Sequence, residues 1–239
     1  MKAFFRAFFV IRVSNYLVKM DCKICKEKCQ KAGKQRNGAQ KHYCTACKKY
    51  QECQYKYLAY KTEVKTLIPK LVCESVSIRG IGRILKIALA TVCKRIKLIA
   101  GNILKPPIPM ERQSFELDEV RTFIGNKENQ YWIAYALCSE TRKVIDFIVG
   151  KRSKRVLRVI VNTILLSGVK TIKTDKLNIY QALIPSGRHI SNAYNINHIE
   201  RNNLNLRTHL KRLSRRTICF SKSVAMLEAC LKIYFWHQE

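Results

Sequence analysis

The sequence predicts an α/β protein in which two small modules precede a mixed β-sheet with helices on its faces. Three observations support this prediction. Two CxxC pairs lie near the start of the chain, three helical patterns follow between residues 61 and 104, and strand-like runs alternate with helical runs from residue 114 onward. At 239 residues, the chain is long enough for one domain of about 120 to 150 residues and one or two such modules.

The net charge limits the partners that the chain can have. The sequence contains 46 Lys and Arg against 16 Asp and Glu, which makes a formal net charge of +30. A chain with this charge repels itself unless a polyanion neutralises it, so nucleic acid is the first candidate. Anionic membranes usually bind one Lys-rich amphipathic helix or a lipidated end, whereas here the basic residues run through the whole chain. We therefore expect a cytoplasmic, nucleoid-associated protein that does not bind membranes.

Residues 1 to 19 combine a basic start with an apolar run. A secretory signal is one interpretation of this pattern. Arg12 interrupts the run and no small-residue cleavage site follows, so we interpret the segment as an N-terminal extension, with Met20 as an alternative start. No other stretch approaches about 18 uninterrupted apolar residues, so no transmembrane helix is expected.

The cysteines indicate metal ligation rather than disulfides, because their number is odd and four of them form two tight pairs. Cys22 and Cys25 are separated by eighteen residues from Cys44 and Cys47. Each CxxC turn presents two thiolates to one ion, so residues 20 to 56 are predicted to form a zinc ribbon with structural Zn²⁺. Four buried thiols without a metal are the alternative, which the shortage of large apolar residues disfavours. Three nearby residues are alternative ligands: Cys29, His42 and Cys53.

Residues 61 to 104 show the outline of a helix-turn-helix. A long helical pattern and a short one precede a turn at residues 87 to 90, and a third helix is predicted to begin near Thr91. A plain three-helix connector is the alternative. Basic residues in the third helix favour DNA binding, because phosphate contacts supply much of the affinity of such modules. The positions expected to face DNA are Thr91, Lys94, Arg95 and Lys97.

Residues 105 to 113, KPPIPMERQ, are predicted to be a linker because prolines interrupt the helical pattern. A domain over residues 114 to 239 follows. Its strand-like runs cover residues 114 to 124, 131 to 139, 144 to 149, 169 to 174 and 189 to 194, and its helical runs cover residues 154 to 166, 177 to 183 and a basic stretch from 197. The basic stretch is predicted to be one long helix, because Ile199, Leu206, Leu210 and Leu213 recur at helical spacing on one apolar face. The order of three strands, helix, strand, helix, strand, helix is that of a ribonuclease H-like mixed sheet with flanking helices.

Three acidic residues fall at informative places in this order. Asp118 lies in the first strand, Asp175 ends the fourth strand, and Glu200 lies on the last helix. Because the first and fourth strands are neighbours in such a sheet, these carboxylates can converge at one edge. They would repel one another unless divalent metal neutralised them, and Mg²⁺ or Mn²⁺ in such a site activates a hydroxyl for phosphodiester chemistry. Each residue taken singly has another interpretation. Asp118 fits a charge at a strand end, Asp175 fits a helix N-cap, and Glu200 fits a partner in an ion pair with Arg207 or Arg201.

Three neighbours of these acids have open roles. Glu116 shares the side of the strand with Asp118 and is a secondary acid at best. His198 fits a metal ligand or substrate contact as well as a helix-end or core-edge residue. Tyr180 fits a packing residue beside Asp175 better than a recombinase nucleophile, since that chemistry needs an Arg/His cluster around the tyrosine.

These segments closely resemble the transposases of the insertion-sequence-one family, in the form that joins the zinc-binding frame InsA to the catalytic frame InsB. The resemblance rests on the CxxC pairs and on the segments ELDEV, KTDKLNIY and HIERNNLNLRTHLKRLSRRTICFSKS. It implies a DDE triad of Asp118, Asp175 and Glu200, and the 24 residues between the last two agree with the family's spacing. Arg121 and Lys176 depart from the family pattern, which indicates a subgroup because all three carboxylates remain.

The resemblance implies a DNA transposase that binds the terminal inverted repeats of its element, cleaves the 3′ ends and joins them to target DNA. It also implies a homo-oligomer in a synaptic complex. A catalytically inactive DNA-binding repressor is the main alternative, and a structure-specific nuclease is another. The basic residues around the predicted site are expected to contact DNA: Arg201, Arg207, Lys211, Arg212, Arg215 and Arg216.

Overall fold

The structure is a computed structural model that describes residues 20–53, 58–108, 112–192 and 196–237. The predicted N-terminal extension and parts of the predicted zinc ribbon, linker and fifth strand therefore lie outside the described residues. The chain divides into two compact units, Met1–Lys56 and Tyr57–Glu239. Within the described ranges, no helix is long and apolar enough to cross a membrane.

The first unit contains a three-stranded antiparallel sheet. Its strands are β1 (Gln30–Lys34), β2 (Gln40–Cys44) and β3 (Lys49–Glu52), and they lie in this order. Gly38 in the β1–β2 turn has a φ of 78°, a left-handed conformation that glycine adopts without steric cost. Among the described residues of this unit, the buried hydrophobic side chains are Met20, Cys22 and Cys44. So small a core requires a metal or a cross-link for stability.

Three helices begin the second unit: α1 (Thr62–Cys73), α2 (Ile78–Leu85) and α3 (Leu89–Asn102). The Ser77 hydroxyl caps α2 by accepting a hydrogen bond from the Gly80 N–H at 3.0 Å. The left-handed Lys86, with a φ of 52°, ends the helix. Two turns and three helices thus follow the predicted pattern, although α3 begins two residues before Thr91. Whether they act as a DNA-binding helix-turn-helix stays a prediction.

The second unit also contains a five-stranded mixed sheet. The strand order is β6-β5-β4-β7-β8, with antiparallel pairing among the first three strands and parallel pairing of β4 with β7 and of β7 with β8. The strands are β4 (Ser114–Phe123), β5 (Gln130–Cys138), β6 (Val144–Gly150), β7 (Thr171–Thr174) and β8 (His189–Ser191). The predicted mixed sheet is confirmed, as is the adjacency of its first and fourth strands.

Helices cover both faces of this sheet. On one face, α4 (Lys154–Leu165) packs through Leu157, Ile160 and Ile164 into a core with β4, β5 and β7. On the other face, α6 (Asn197–His209) contributes Ile199 and Leu206 to a second core with β4 and β5. A short helix, α5 (Asn178–Gln181), lies between β7 and β8 in the chain.

A C-terminal helix, α7 (Val224–Trp236), was not predicted. Its residues Met226 and Cys230 join the core of α1 to α3, whereas Leu227 and Leu231 join the core beneath the sheet. Because two sides of α7 are buried, apolar residues lie almost all round the helix, and its sequence has no single apolar stripe. The helices before the predicted linker therefore share a core with the end of the chain.

The prediction that the basic stretch from residue 197 continues as one helix past Leu210 was wrong. The helix α6 ends at His209, because Leu210 has extended backbone angles of φ −115° and ψ 94°. A short 3-10 turn, Lys211–Leu213, follows. Leu210 and Leu213 are still buried in the second core, Leu210 directly after α6 and Leu213 in this turn. The 3.6-residue spacing of the leucines therefore reports their burial and not a continuous helix.

Candidate active site and cysteine cluster

The parallel pairing of β4 and β7 brings two of the predicted acids together. Leu117 pairs with Thr174, so Asp118 and Asp175 follow at the same level of adjacent strands. One carboxylate oxygen from each of Asp118, Glu119 and Asp175 lies within 4.8 Å of those of the other two. Glu119 was not predicted as a member of this acidic cluster. Its position beside Asp118 in the motif ELDEV was the available signal.

Hydrogen bonds from α6 and β4 hold Asp118. Its Oδ2 accepts a hydrogen bond from Asn203 Nδ2 at 2.6 Å, and its Oδ1 accepts one from the Glu119 N–H at 2.7 Å. The Tyr135 hydroxyl on β5 donates in turn to Asn203 Oδ1 at 2.7 Å. Burial raises the pKa of Asp118, and the negative charges of Asp175 and Glu200 raise it further, whereas the two hydrogen bonds lower it.

Two long side chains hold Glu119. The Tyr180 hydroxyl donates to one oxygen at 2.9 Å, and Arg152 contacts the other at 3.2 Å. The Glu119 side chain is 1% exposed, and burial raises its pKa although Arg152 opposes the shift. Burial also raises the pKa of Tyr180 well above its usual value, so this hydroxyl remains a hydrogen-bond donor. Tyr180 is fully buried, as expected of a packing residue, but it also orients an acid of the cluster.

Glu116 is a fully buried anchor for the start of α6. Its carboxylate accepts hydrogen bonds from His198 Nδ1 at 2.6 Å, from the Ile199 N–H at 2.9 Å and from Ser139 Oγ at 3.1 Å. It therefore satisfies donors in the first turn of a helix, where a negative charge is favourable. This arrangement supports the helix-end interpretation of His198.

Glu200 lies in the first turn of α6 and is exposed. It is not part of the cluster of three acids, although its charge is near enough to raise the pKa of Asp118. The structure thus brings Asp118 and Asp175 together and leaves Glu200 beside them. The catalytic role of all three remains a prediction.

The acidic cluster fits a divalent cation. Among the described residues, neither Asp118 nor Asp175 forms an ion pair with Lys or Arg, so their charges repel without direct compensation. Burial has already raised the pKa values of Asp118 and Glu119, which is the cost of placing adjacent carboxylates in a partly dry site. A donor set made only of carboxylate oxygens suits Mg²⁺ and Mn²⁺.

The four predicted thiols of the first unit form one cluster. Their sulfur atoms lie within 4.8 Å of one another, with Cys22 to Cys47 at 3.3 Å and Cys25 to Cys44 at 3.4 Å. Four sulfurs around a tetrahedral zinc with bonds of about 2.3 Å are separated by about 3.8 Å. The alternative ligands Cys29, His42 and Cys53 are outside the cluster.

The thiols also have the electrostatics of a cation site. Burial raises the pKa of Cys22, but backbone hydrogen bonds from Cys25 and Ile24 outweigh it and lower the pKa to about 5. The neighbouring side chains of Cys22 and Cys44 raise the pKa of Cys47 to about 12. Four thiolates therefore coexist here only when a cation neutralises them, so the donor set fits a metal ion.

The predicted DNA-contacting residues differ in exposure. On α3, Lys94 and Lys97 are exposed, whereas Thr91 and Arg95 are partly buried. Arg95 donates a hydrogen bond to the Ala59 carbonyl at 3.1 Å, toward the residues before α1. In and after α6, four residues are exposed: Arg201, Lys211, Arg215 and Arg216. Two are partly buried: Arg207 and Arg212. Contact of these residues with DNA stays a prediction.

Comparison with known proteins assigns the family. A family model described as IS1 transposase matches residues 113–238, which is more than half of the chain. The chain is 36% identical over 113 residues to the insertion element iso-IS1n protein InsB of Shigella dysenteriae, covering 47% of this chain and 86% of that protein. It is 32% identical over 119 residues to the IS1 protein InsB of Shigella flexneri, covering 50% of this chain and 91% of that protein. The chain belongs to the IS1 transposase family, which confirms the family resemblance.

Two solved structures are also similar, at lower sequence identity than these relatives. The catalytic core domain of the HTLV-2 integrase in complex with magnesium has 14% identity and a TM-score of 0.34, covering 52% of this chain and 82% of that one. The simian T-cell lymphotropic virus intasome in complex with the PP2A regulatory subunit B56 gamma has 15% identity and a TM-score of 0.36, and the match covers 69% of this chain and 65% of that one.

Proposed function

We propose that this chain is a DNA transposase that binds the terminal inverted repeats of its insertion sequence and catalyses metal-dependent 3′-end cleavage and strand transfer. The observation that carries the proposal is the convergence of the Asp118 and Asp175 carboxylates at adjacent strand ends. Family membership supports it. The strand order β6-β5-β4-β7-β8, with β5 antiparallel to both neighbours, supports a ribonuclease H-like catalytic domain.

Asp118, Asp175 and Glu200 would hold Mg²⁺ or Mn²⁺, with Glu119 adjacent. When bound, such ions activate a water or a DNA 3′ hydroxyl as the nucleophile and stabilise the leaving oxygen. Other side chains of the protein would hold these acids in position. Asn203 holds Asp118 through a 2.6 Å hydrogen bond.

Glu116 contributes position as well, because it fixes the first turn of α6, from which Glu200 extends. The basic residues of α6 and of the segment after it would bind the DNA backbone, since the neutralisation of phosphates supplies much of the affinity for DNA.

The N-terminal residues would supply DNA binding. The cluster of Cys22, Cys25, Cys44 and Cys47 would hold structural Zn²⁺, and residues 20 to 56 would form a zinc ribbon. The helices α1 to α3 would form a helix-turn-helix with Lys94 and Lys97 facing DNA, both of which are exposed. Paired-end chemistry requires two DNA ends in one complex, so a homo-oligomer is proposed, acting at the nucleoid in the cytoplasm.

A cleavage assay with purified protein tests the proposal. The substrate is a labelled duplex carrying the end of the element that encodes the chain, incubated with Mg²⁺ or EDTA. Wild type is compared with Glu200→Gln and Asp118→Asn. The matched control is Glu128→Gln, which removes an exposed carboxylate from the β4–β5 turn.

The proposal expects nicked and joined products that require Mg²⁺, are lost in Glu200→Gln and Asp118→Asn, and persist in Glu128→Gln. DNA binding should persist in every variant. Tight end-specific binding without cleavage by any of the proteins would contradict the catalytic part and favour the DNA-binding repressor. Cleavage without joined products would instead favour the nuclease.

A further inference from the structure

Tyr135 lies directly opposite Asp118 in the sheet, on the neighbouring strand β5. Opposite residues of an antiparallel pair point to the same face of a sheet, and here that face packs against α6. Tyr135 is fully buried, so its polar hydroxyl needs hydrogen-bond partners inside the protein. Among the residues that the structure describes, its hydroxyl has three partners, and all of them lie on α6.

The single proton of this hydroxyl goes to Asn203. The hydroxyl oxygen is 2.7 Å from Asn203 Oδ1 and 3.1 Å from the Ile199 carbonyl, and neither of those oxygens can donate. Asn202 Nδ2 donates to the hydroxyl at 3.4 Å. Burial raises the pKa of Tyr135 well above its usual value, so the proton stays on the oxygen. The shortest of the three contacts is therefore a hydrogen bond from Tyr135 to Asn203.

Asn203 uses the two ends of its amide for two different neighbours. Its Nδ2 donates to Asp118 Oδ2 at 2.6 Å, while its Oδ1 accepts from Tyr135. An ionised carboxylate only accepts hydrogen bonds, so the amide must present its NH₂ end to Asp118. In this orientation Oδ1 faces Tyr135, and the hydroxyl of Tyr135 satisfies it. The hydroxyl therefore stabilises the one orientation of Asn203 that holds Asp118.

Aromatic packing holds the Tyr135 ring. Phe235 of α7 stacks on it with ring centroids 5.6 Å apart and an interplanar angle of 30°. Phe147, which lies opposite Tyr135 on β6, contacts the same Phe235 ring at 5.6 Å. A ring held between the sheet and α7 cannot swing its hydroxyl away from α6 without opening a cavity, which is costly in a packed core. Tyr135 is thus a rigid support.

We infer that Tyr135 is a positioning residue for the metal-dependent reaction: its hydroxyl fixes the Asn203 amide, and the amide fixes the Asp118 carboxylate that would hold the metal ion. This inference rests on the proposed function. Removal of a group that orients a metal ligand commonly lowers metal affinity or activity by about 10- to 100-fold. Because Phe235 belongs to α7, the C-terminal helix also contributes to the geometry of the acidic cluster.

Binding of Mn²⁺ to the purified full chain tests the inference without any need for catalysis. Free Mn²⁺ is measured by electron paramagnetic resonance, and the binding that Asp118→Asn abolishes is assigned to the acidic cluster. Tyr135→Phe removes only the hydroxyl. The matched control is Tyr131→Phe, which removes the hydroxyl of a partly buried tyrosine on the same strand.

We expect Tyr135→Phe to raise the Kd for Mn²⁺ at the acidic cluster by about tenfold or more, and Tyr131→Phe to leave it unchanged. A double-mutant cycle then tests whether Tyr135 acts through Asn203. Asn203→Leu should raise the Kd by at least as much, and adding Tyr135→Phe to Asn203→Leu should raise it no further.

Two results of these titrations would overturn the inference. One is an unchanged Kd in Tyr135→Phe. The other is an equal effect of Tyr135→Phe in the wild-type and Asn203→Leu backgrounds, because a general loosening of the core acts independently of Asn203.

Phe235→Leu is a second variant, for use if circular dichroism shows that Tyr135→Phe does not fold. It keeps the hydroxyl but removes the ring that stacks on Tyr135. The Kd for Mn²⁺ should again rise, because the hydroxyl is held less firmly against Asn203. An unchanged Kd in a folded Phe235→Leu protein would contradict the inference.

The cleavage assay separates this inference from the proposed function. If Tyr135→Phe binds Mn²⁺ more weakly than wild type but neither protein cleaves the element end, the proposed function fails and the positioning of Asp118 by Tyr135 stands. If wild type cleaves and Tyr135→Phe keeps both the Kd for Mn²⁺ and the dependence of cleavage on Mg²⁺ concentration, the inference fails alone. If wild type binds no Mn²⁺ at the cluster, the inference fails together with the metal site of the proposed function.

Discussion

Substitution of Glu116 by Gln should destabilise the second unit although it keeps the shape of the side chain. The buried carboxylate accepts hydrogen bonds at both oxygens, from His198 and Ser139 at one and from the Ile199 N–H at the other. A glutamine can still accept the Ile199 N–H with its oxygen and donate with its NH₂ group to Ser139 and to a neutral His198 ring, so the shape and the number of hydrogen bonds can be kept. What is lost is the charge of the acceptor, and because hydrogen bonds to charged groups are worth more than neutral ones, the cost is about 1 to 2 kcal/mol.

Guanidinium unfolding followed by circular dichroism measures this cost. For a unit of the size of Tyr57–Glu239, it corresponds to a fall in Tm of roughly 2 to 8 °C. Strand transfer should also fall, because the first turn of α6 carries Glu200. The control Glu128→Gln should change the free energy of unfolding by less than about 0.5 kcal/mol. If Glu116→Gln were as stable as this control, the anchoring role of Glu116 would be refuted.

Three further predictions concern the acids and the thiols. Replacing Asn203 with Leu should shift the acidic limb of the pH–activity profile to higher pH, because its hydrogen bond lowers the pKa of Asp118; an unshifted limb would contradict this. The pKa values of Asp118 and Glu119 are higher in the folded protein than in the unfolded chain. Without metal, the free energy of unfolding should therefore fall as the pH rises above the pKa that these carboxyl groups have in the unfolded chain. Thermal melts should show that Mg²⁺ offsets this loss, and less so in Asp118→Asn. A zinc chelator should unfold the first unit and release one ion per chain in a colorimetric assay, since structural zinc contributes roughly 10 to 16 kcal/mol; retained β-structure after chelation, or no released zinc, would argue against the site.

Local patterns in the sequence were sufficient for much of the fold. The strand-like runs predicted β4 to β6 to within one residue at each end, because alternation of side chains across a strand is visible over a few residues. The order of elements predicted that β4 and β7 are neighbours, and hence that Asp118 and Asp175 lie close together. The CxxC spacing predicted the cysteine cluster, since each pair is a local turn.

Contacts between distant residues could not be predicted in this way. Helix α7 has two buried sides, so its nearly uniform apolar sequence carried no helical period. The leucines after His209 kept their spacing although the helix had ended, because burial and not helix continuity determines where leucines fall.

The sequence alone therefore determined most of the helices and strands, the family resemblance and the candidate acids. Only the tertiary structure decided that Glu116 anchors a helix and that Glu119 joins the acidic cluster. The physical reason is that the role of a charged side chain depends on its burial and on partners that lie far away in the chain.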